Sequence, residues 1–250
     1  KDVSIVKAWS SSMMALASRY PFWLATVEHE IKLQPALKSV IEEKCTRCHA
    51  PMAAVELTKQ KKPVVLFGDK GILHSSHALF NPAMSGVSCT LCHQIKDTAL
   101  LGTLDGISGK FVIETFASTV DRKVYGPYIY SLVESMLSFA VFLPTGFKHV
   151  KTSKFCASCH GLKTSFVDAK GSIVPKQEKD FFPEQMAFEE WKHSNFGKTG
   201  IHYRPCQSCH MASATGVKVS FGPPWLKARE YFRQHIFVGG NRFMLEMLKD

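Results

Sequence analysis

Apolar residues recur at helical spacing in several short segments of the chain, most of them bounded by proline or glycine. This spacing predicts helices over residues 3–19, 22–32, 35–44, 52–61, 127–142, 183–195 and 225–237, with a last helical segment over 241–250. Pro35 suits a first helical position, because proline lacks the amide hydrogen that would be unpaired there. The pattern therefore predicts a mainly α-helical chain.

The segments between these helices are long and rich in glycine. Residues 100–119 hold three glycines around the strand-prone residues 110–114, which makes this segment the best candidate for a small β-hairpin. Residues 68–86 are predicted to form a loop, and the apolar positions of 127–142 are predicted to lie in the core. We find no linker that demands a boundary, so residues 1–250 are expected to form a single domain, mainly α with long loops.

All eight cysteines fall into four copies of one five-residue pattern, Cys-x-x-Cys-His, at residues 45–49, 89–93, 156–160 and 206–210. This is the pattern at which c-type haem is attached: the two thiols form thioethers and the histidine binds the iron. The predicted cofactors are four haem c groups. The thioether residues would be Cys45, Cys48, Cys89, Cys92, Cys156, Cys159, Cys206 and Cys209, and the proximal ligands would be His49, His93, His160 and His210.

Other uses of paired cysteines explain this pattern poorly. Histidine makes up 11 of 250 residues, so four histidines in these places would arise by chance roughly four times in a million. Zinc ribbons use paired Cys-x-x-Cys units without requiring a histidine after each. A redox dithiol normally appears once, at the start of a helix, and structural disulfides more often join distant cysteines.

The ligand on the second face of each iron would decide the chemistry, since a second histidine favours electron transfer and an open position allows substrate to react. Seven histidines lie outside the motifs. Four distal ligands are needed, so three of the seven are spare. His74 is a substitute for His77, and for His202 a contact to a haem edge or propionate is as plausible as ligation. The five leading candidates are His29, His77, His149, His193 and His235.

Charge and hydropathy exclude some other functions. The formal charge of +10 falls to about +6 with four oxidised haems and about +2 with four reduced ones, because each oxidised haem contributes roughly one negative charge. Lys and Arg are scattered, and their one dense run, residues 59–62, is expected to be a solvated turn, so no nucleic-acid surface is predicted. No segment reaches the roughly 20 apolar residues of a membrane span. The chain opens at Lys1 without a signal-peptide pattern, as expected of a mature or trimmed form.

Several flanking segments resemble multihaem c-type cytochromes of environmental bacteria and archaea, a family that includes tetrahaem subunits of extracellular filaments. These segments are residues 86–95, 149–160, 183–191, 205–211 and 235–241. The resemblance implies haem-dominated packing with bis-histidine ligation, and it favours His149 and His235 as distal ligands.

Three functions compete at this point. The favoured one is electron transfer, as a soluble shuttle or as a filament subunit. Its partners would be redox proteins, extracellular electron acceptors or further copies of the chain, and its location would be periplasmic or extracellular, because c-type haem is attached outside the cytoplasmic membrane. The second is an oxidoreductase acting on a small nitrogen or sulfur compound at a five-coordinate haem. The third is a structural haem protein that carries no current.

Overall fold

Helices predominate over strands in the structure, a computed structural model that describes residues 3–114, 116, 118–129, 131–168, 171–174, 181–220, 222, 224–239 and 246. The helices of this part of the chain are α1 (Ile5–Ser10), α2 (Pro21–Leu33), α3 (Lys38–His49), α4 (Pro51–Lys59), α5 (Phe80–Met84), α6 (Cys89–Cys92), α7 (Val133–Ala140), α8 (Ser153–His160), α9 (Ala187–His193) and α10 (Cys206–His210). Short 3-10 turns add residues 17–19, 35–37, 119–121 and 149–151. The predicted mainly helical fold with long connections is confirmed.

The strands are short and form two-stranded sheets. They are β1 (Lys123–Gly126), β2 (Leu143–Gly146), β3 (Leu162–Ser165), β4 (Phe181–Gln185), β5 (Ser213–Ala214) and β6 (Phe232–Arg233). β1 pairs with β2 in parallel, whereas β3–β4 and β5–β6 are antiparallel. The strand-prone segment 110–114 does not fold back on its own neighbours as a hairpin would. It pairs through an antiparallel bridge between Ile113 and Ile95, just after the second motif.

Helices α2, α3 and α4 occupy the positions that the sequence predicts. Pro21 and Pro51 are the first residues of α2 and α4, and Pro35 opens the 3-10 turn that leads into α3. Trp23 and Val27 are one turn apart on α2 and both are buried. The local signals suffice here because these helices pack on one another, with the largest core cluster between them.

Two helices, α1 and α7, are shorter than predicted. Of residues 3–19, only 5–10 are α-helical, and turns follow. Helix α7 takes up the middle of the predicted 127–142 helix and ends at Val141, whose φ is +56°. The prediction that this segment is core is wrong, because α7 has no buried residue and Phe139 is 91% exposed. Its apolar periodicity is real, but no described element covers it.

Strands replace predicted helix in the second half. Pro183 lies within β4 rather than at a helix start, and α9 begins at Ala187. The segment predicted as helix 225–237 contains β6 and an isolated bridge between Arg229 and Val217. The segment 241–250 lies outside the described residues except for Glu246, which is helical.

The described part of the polypeptide has no single continuous hydrophobic core. Its core is divided into separate clusters, and two of them have only three buried members each. The chain exposes 15683 Å², whereas a folded protein of 27.9 kDa typically exposes about 11,000 Å². A surface this large is expected of a protein whose side chains pack partly against something other than the polypeptide.

Two surface expectations can be compared with the described residues. The run of lysines at 59–62 is exposed and turns through Lys61, whose φ is +54°, as predicted for a solvated turn. None of the described helices has both the length and the apolar composition needed to cross a lipid bilayer.

Candidate haem attachment sites

Each of the four motifs lies on a short helix or at a helix end. Helices α3, α8 and α10 each end on the motif histidine, and His93 directly follows α6. Residues three and four apart lie on the same face of a helix. The helical backbone therefore places both thiols and the imidazole of each motif on one face, as attachment of one planar group by three contacts requires.

Three of the motif histidines have their Nδ1 atoms paired with backbone carbonyls from distant parts of the chain. The partners are Ala17 O for His49 at 3.1 Å, Tyr125 O for His93 at 2.5 Å and Val238 O for His210 at 2.6 Å. A carbonyl only accepts, so Nδ1 must carry the hydrogen and the lone pair remains on Nε2. This is the arrangement of a metal-binding histidine whose other nitrogen is fixed by a hydrogen bond.

The environment of two of the motif histidines, His49 and His160, favours their neutral form. Burial lowers the pKa of His49 to about 4, opposed by its bond to Ala17. Burial and the neighbouring His210 also lower the pKa of His160. The indole of Trp23 stacks on the His49 ring at 4.4 Å between centroids. Neutral imidazole is the form that binds a metal.

The eight thiols are not arranged as zinc or disulfide sites. All are free, and no group of three or more metal-binding side chains occurs among the described residues. Burial raises the pKa of Cys45 and Cys92 to about 12, whereas redox-active dithiols have lowered values. Cys206 is an exception: the neighbouring Cys156 thiol lowers its pKa to about 6.

Helix α8, which carries the third motif, lies against the fourth motif. The Ser153 hydroxyl accepts a hydrogen bond from the Cys206 amide at 3.0 Å. The Gln207 side chain, between the two cysteines of the fourth motif, donates to Val150 O and Thr152 O at 3.1 and 2.9 Å. The fourth motif is thus anchored directly to the start of α8.

Residues near the first and second motifs contact α8 or the turn that precedes it. The Gly109 amide donates to Ser158 O at 2.8 Å, and a Cβ at Gly109 would lie 3.4 Å from Cys48 Sγ. Cys48 is also the neighbour that most raises the pKa of Cys159. From the second motif, Ile95 O accepts a hydrogen bond from His149 Nε2 at 2.8 Å. The third motif is therefore in contact with the first and fourth motifs, and the turn just before α8 is bonded to the chain just after the second motif.

His235 is the predicted distal residue that the structure brings against a motif histidine. Its ring centroid is 6.2 Å from that of His93, with 32° between the planes. Two imidazoles bonded at about 2 Å to one metal ion, on opposite sides of it, have centroids about 6 Å apart. Burial, followed by His93, lowers the pKa of His235 to about 4, and its Nδ1 is buried without a hydrogen bond of good geometry, although the Arg233 carbonyl is near.

His149 is buried and holds one nitrogen without a partner. Its side chain is 4% exposed, and the rings of Tyr125, Phe147 and Phe155 meet it edge-on at 5.0, 5.4 and 5.7 Å. Because Nε2 donates to a carbonyl, the lone pair lies on Nδ1, which has no hydrogen-bond partner. A buried nitrogen lone pair without a partner fits a ligand to a group that the polypeptide does not itself supply.

The remaining predicted distal residues lie near the surface. His29 and His74 are exposed, and the His74 ring bonds to Ser76 Oγ at 2.8 Å. His77 Nδ1 accepts from the Leu79 amide at 3.0 Å. The His193 side chain is 78% exposed and lies 3.7 Å from Glu189. Their roles as ligands stay predictions.

Sequence reasoning does not find Tyr125, although it holds His93 at two points. Its carbonyl accepts from His93 Nδ1 and its amide donates to His93 O at 2.7 Å. Tyr125 is far from the motif along the chain and belongs to no recognisable pattern. The contact between Tyr125 and His93 is visible only in the structure, where β1 pairs with β2 and Tyr125 of β1 lies beside the end of α6.

The residues present fit covalent haem. Four pairs of free thiols each lie beside a histidine, three of those histidines have Nε2 left available, and two buried imidazoles have a nitrogen without a good partner. The large exposed area of the polypeptide agrees with space reserved for flat apolar groups.

Comparison of the sequence with protein-family models and with curated proteins finds no match. Among solved structures, the fold is similar to that of a penta-heme cytochrome c552 from Thermochromatium tepidum, with a TM-score of 0.48 and 17% sequence identity. The similarity covers 96% of this chain and 55% of that one, so the chain spans about half the length of the cytochrome that it matches.

Proposed function

We propose that this chain is a tetrahaem c-type cytochrome that transfers electrons. The observation that carries the proposal is the repeated geometry of the four motifs, each with two free thiols and a histidine on one helical face. At three of them a distant carbonyl fixes Nδ1 and leaves Nε2 for a metal. Haem iron supplies one-electron chemistry when it is bound.

The chain's own residues would attach the haem groups, ligate the irons and orient the ligating histidines. The eight cysteines would hold four haem groups covalently, and His49, His93, His160 and His210 would each ligate one iron. The carbonyls of Ala17, Tyr125 and Val238 fix the ring orientation of three of these histidines and raise their basicity. Helix α8 keeps the third site in contact with the first and the fourth, and the turn before α8 is bonded to the chain just after the second. This arrangement suits exchange of electrons between neighbouring sites.

We further assign His235 as the second axial ligand at the His93 site, on the basis of the 6.2 Å separation of their rings. His149 is the next candidate, because it is buried and has a free nitrogen. His29, His74, His77 and His193 remain candidates for the other sites. All four lie near the surface of the polypeptide, where each could serve a haem of this chain or of a neighbouring copy.

The physiological setting is proposed from the chemistry of attachment. The protein acts in the periplasm or outside the cell, where c-type haem is attached. It exchanges electrons with redox partner proteins or extracellular acceptors, either as a soluble shuttle or as a subunit of a filament built from copies of itself. Electron microscopy of the native protein distinguishes the shuttle from the filament.

Electron paramagnetic resonance of the oxidised protein tests electron transfer against catalysis. Four low-spin haems that titrate reversibly with a chemical reductant are expected, because histidine on both faces of the iron gives six-coordinate, low-spin centres. A high-spin centre that binds nitrite, hydroxylamine or sulfite would contradict the proposal and support an oxidoreductase.

A further inference from the structure

A carboxylate just outside the second motif is linked to His93 through one tyrosine. The His93 Nδ1 hydrogen is donated to Tyr125 O at 2.5 Å, and the Tyr125 amide donates back to His93 O at 2.7 Å. At the other end of the same residue, the Tyr125 hydroxyl donates to Glu114 Oε2 at 2.5 Å. Tyr125 therefore joins the imidazole to the carboxylate of Glu114.

Tyr125 is held firmly in this position. The residue is 5% exposed, and its ring meets the rings of Phe147 and His149 edge-on, with centroids 5.5 and 5.0 Å away. Its side chain is thus fixed by packing and its hydroxyl by Glu114. The carbonyl that accepts from His93 cannot swing away without breaking these contacts.

Glu114 is delivered to this place by backbone pairing. The Lys96 amide donates to Val112 O at 2.8 Å and the Glu114 amide donates to Gln94 O at 3.0 Å, so the residues after the second motif run beside the Glu114 segment. The Glu114 side chain is 12% exposed and lies 3.3 Å from Lys96 Nζ, whose side chain is 48% exposed. The Tyr125 hydroxyl, followed by Lys96, holds the pKa of Glu114 below its usual value.

The two charges of this pair are unequally shielded by water. A poorly solvated carboxylate acts on its surroundings more strongly than a well-solvated ammonium group, because the effective dielectric constant is lower around it. Lysine therefore offsets only part of the negative field of Glu114. What remains is a net negative charge on Glu114, one tyrosine away from His93 of the second motif.

We propose that Tyr125 and Glu114 are positioning residues that lower the reduction potential of the centre ligated by His93. The inference rests on the proposed function, since it requires an iron at that site. A hydrogen bond from Nδ1 to a fixed carbonyl raises the basicity of the ligand, and a nearby carboxylate adds negative charge. Both favour ferric over ferrous iron.

Single substitutions separate the effect of charge on the reduction potential from the effect of a structural change. Glu114→Gln keeps a hydrogen-bond acceptor for Tyr125 but removes the charge, and it should shift one of the four potentials upward. Lys96→Gln removes the opposing charge from a half-exposed side chain, and it should shift the same potential downward. Tyr125→Phe removes the hydroxyl that holds the carboxylate but keeps the charge and the backbone carbonyl that accepts from His93, and it should shift that potential by less than Glu114→Gln. Glu56→Gln on α4, an exposed carboxylate, is the matched control.

The readout is a redox titration of each variant followed by electron paramagnetic resonance, with haem content measured on the same samples. Opposite shifts for Glu114→Gln and Lys96→Gln in one centre, absent from Glu56→Gln, would establish the inference. Potentials unchanged in both, or equal shifts in the control, would overturn it while four low-spin haems still upheld the proposed function. A protein without haem would refute both.

Discussion

The imidazoles of His93 and His235 lie beside each other, with their ring centroids 6.2 Å apart and 32° between their planes. His93 belongs to the second motif, and His235 follows β6. Neither ring could be predicted to meet the other from its position in the sequence. The separation is about what two histidine ligands of a single metal ion require, and it is the distance on which the proposed assignment of His235 to the His93 site rests.

Replacing His235 should open the second site. In His235→Ala we expect high-spin signal from about one quarter of the iron, because one of four centres loses its second imidazole. His235→Met should restore a low-spin centre with a higher reduction potential, since thioether ligation raises it. Both are checked by electron paramagnetic resonance and redox titration of the purified protein.

His202→Ala is the control for this series, because His202 is exposed and joins no motif histidine in the described residues. It should leave all centres low-spin. A wholly low-spin spectrum for His235→Ala would show that His235 is not a ligand.

Gly109 is placed where a side chain would collide with the first motif. Its φ is +72°, and a Cβ there would lie 2.6 Å from Arg47 Cβ. Gly109→Ala should lower the free energy of unfolding by about 2–3 kcal/mol, combining backbone strain with displacement of the motif helix. Denaturant unfolding measures this.

Gly68→Ala separates strain from collision, since Gly68 has φ +82° but no atom lies within 4 Å of the place that an added methyl group would take. It should cost about 1 kcal/mol. Equal decreases in the free energy of unfolding of the two variants would mean that the collision with Arg47 does not destabilise Gly109→Ala.

The amide of Gln207 ties the fourth motif to the start of α8. Gln207→Leu removes its bonds to Val150 O and Thr152 O and should lower the free energy of unfolding by about 1–3 kcal/mol. The same change at Gln60, which is exposed, should have little effect. If unfolding is unaltered in Gln207→Leu, the two motifs are held together by other contacts.

Acid should weaken the link between Glu114 and Tyr125. The pKa of Glu114 is lowered chiefly by the Tyr125 hydroxyl, so the carboxylate stabilises the folded state above its unfolded pKa of about 4.5, and this contribution is lost as the pH falls through the lower folded value. The free energy of unfolding should therefore decrease below pH about 4.5, and less steeply in Glu114→Gln. Guanidinium unfolding at several pH values checks the difference, and identical slopes would contradict it.

The attachment sites could be predicted from sequence because they are local. Each motif is five consecutive residues, and Pro21 and Pro51 begin α2 and α4 where the sequence places them. The prediction of a buried helix over 127–142 is wrong because apolar periodicity indicates a helix face but not what covers it. Phe139 lies on such a face and is almost fully exposed.

Long-range partners could not be predicted. Tyr125 and Glu114 belong to no sequence motif. Backbone pairing between segments that are separate in the sequence brings them to His93, and local turn residues do not specify that pairing. The segment after Trp225 forms β6 instead of a helix because Phe232 and Arg233 pair with β5, a tertiary contact that overrides local propensity. The same pairing leads the chain towards His235.

Mass spectrometry of the denatured protein tests the central claim most directly, because thioether-linked haem survives unfolding. We predict a mass equal to that of the polypeptide plus four haem groups, with haem on the peptides that contain residues 45–49, 89–93, 156–160 and 206–210. The mass of the bare polypeptide, or a native protein that carries zinc instead, would contradict the account.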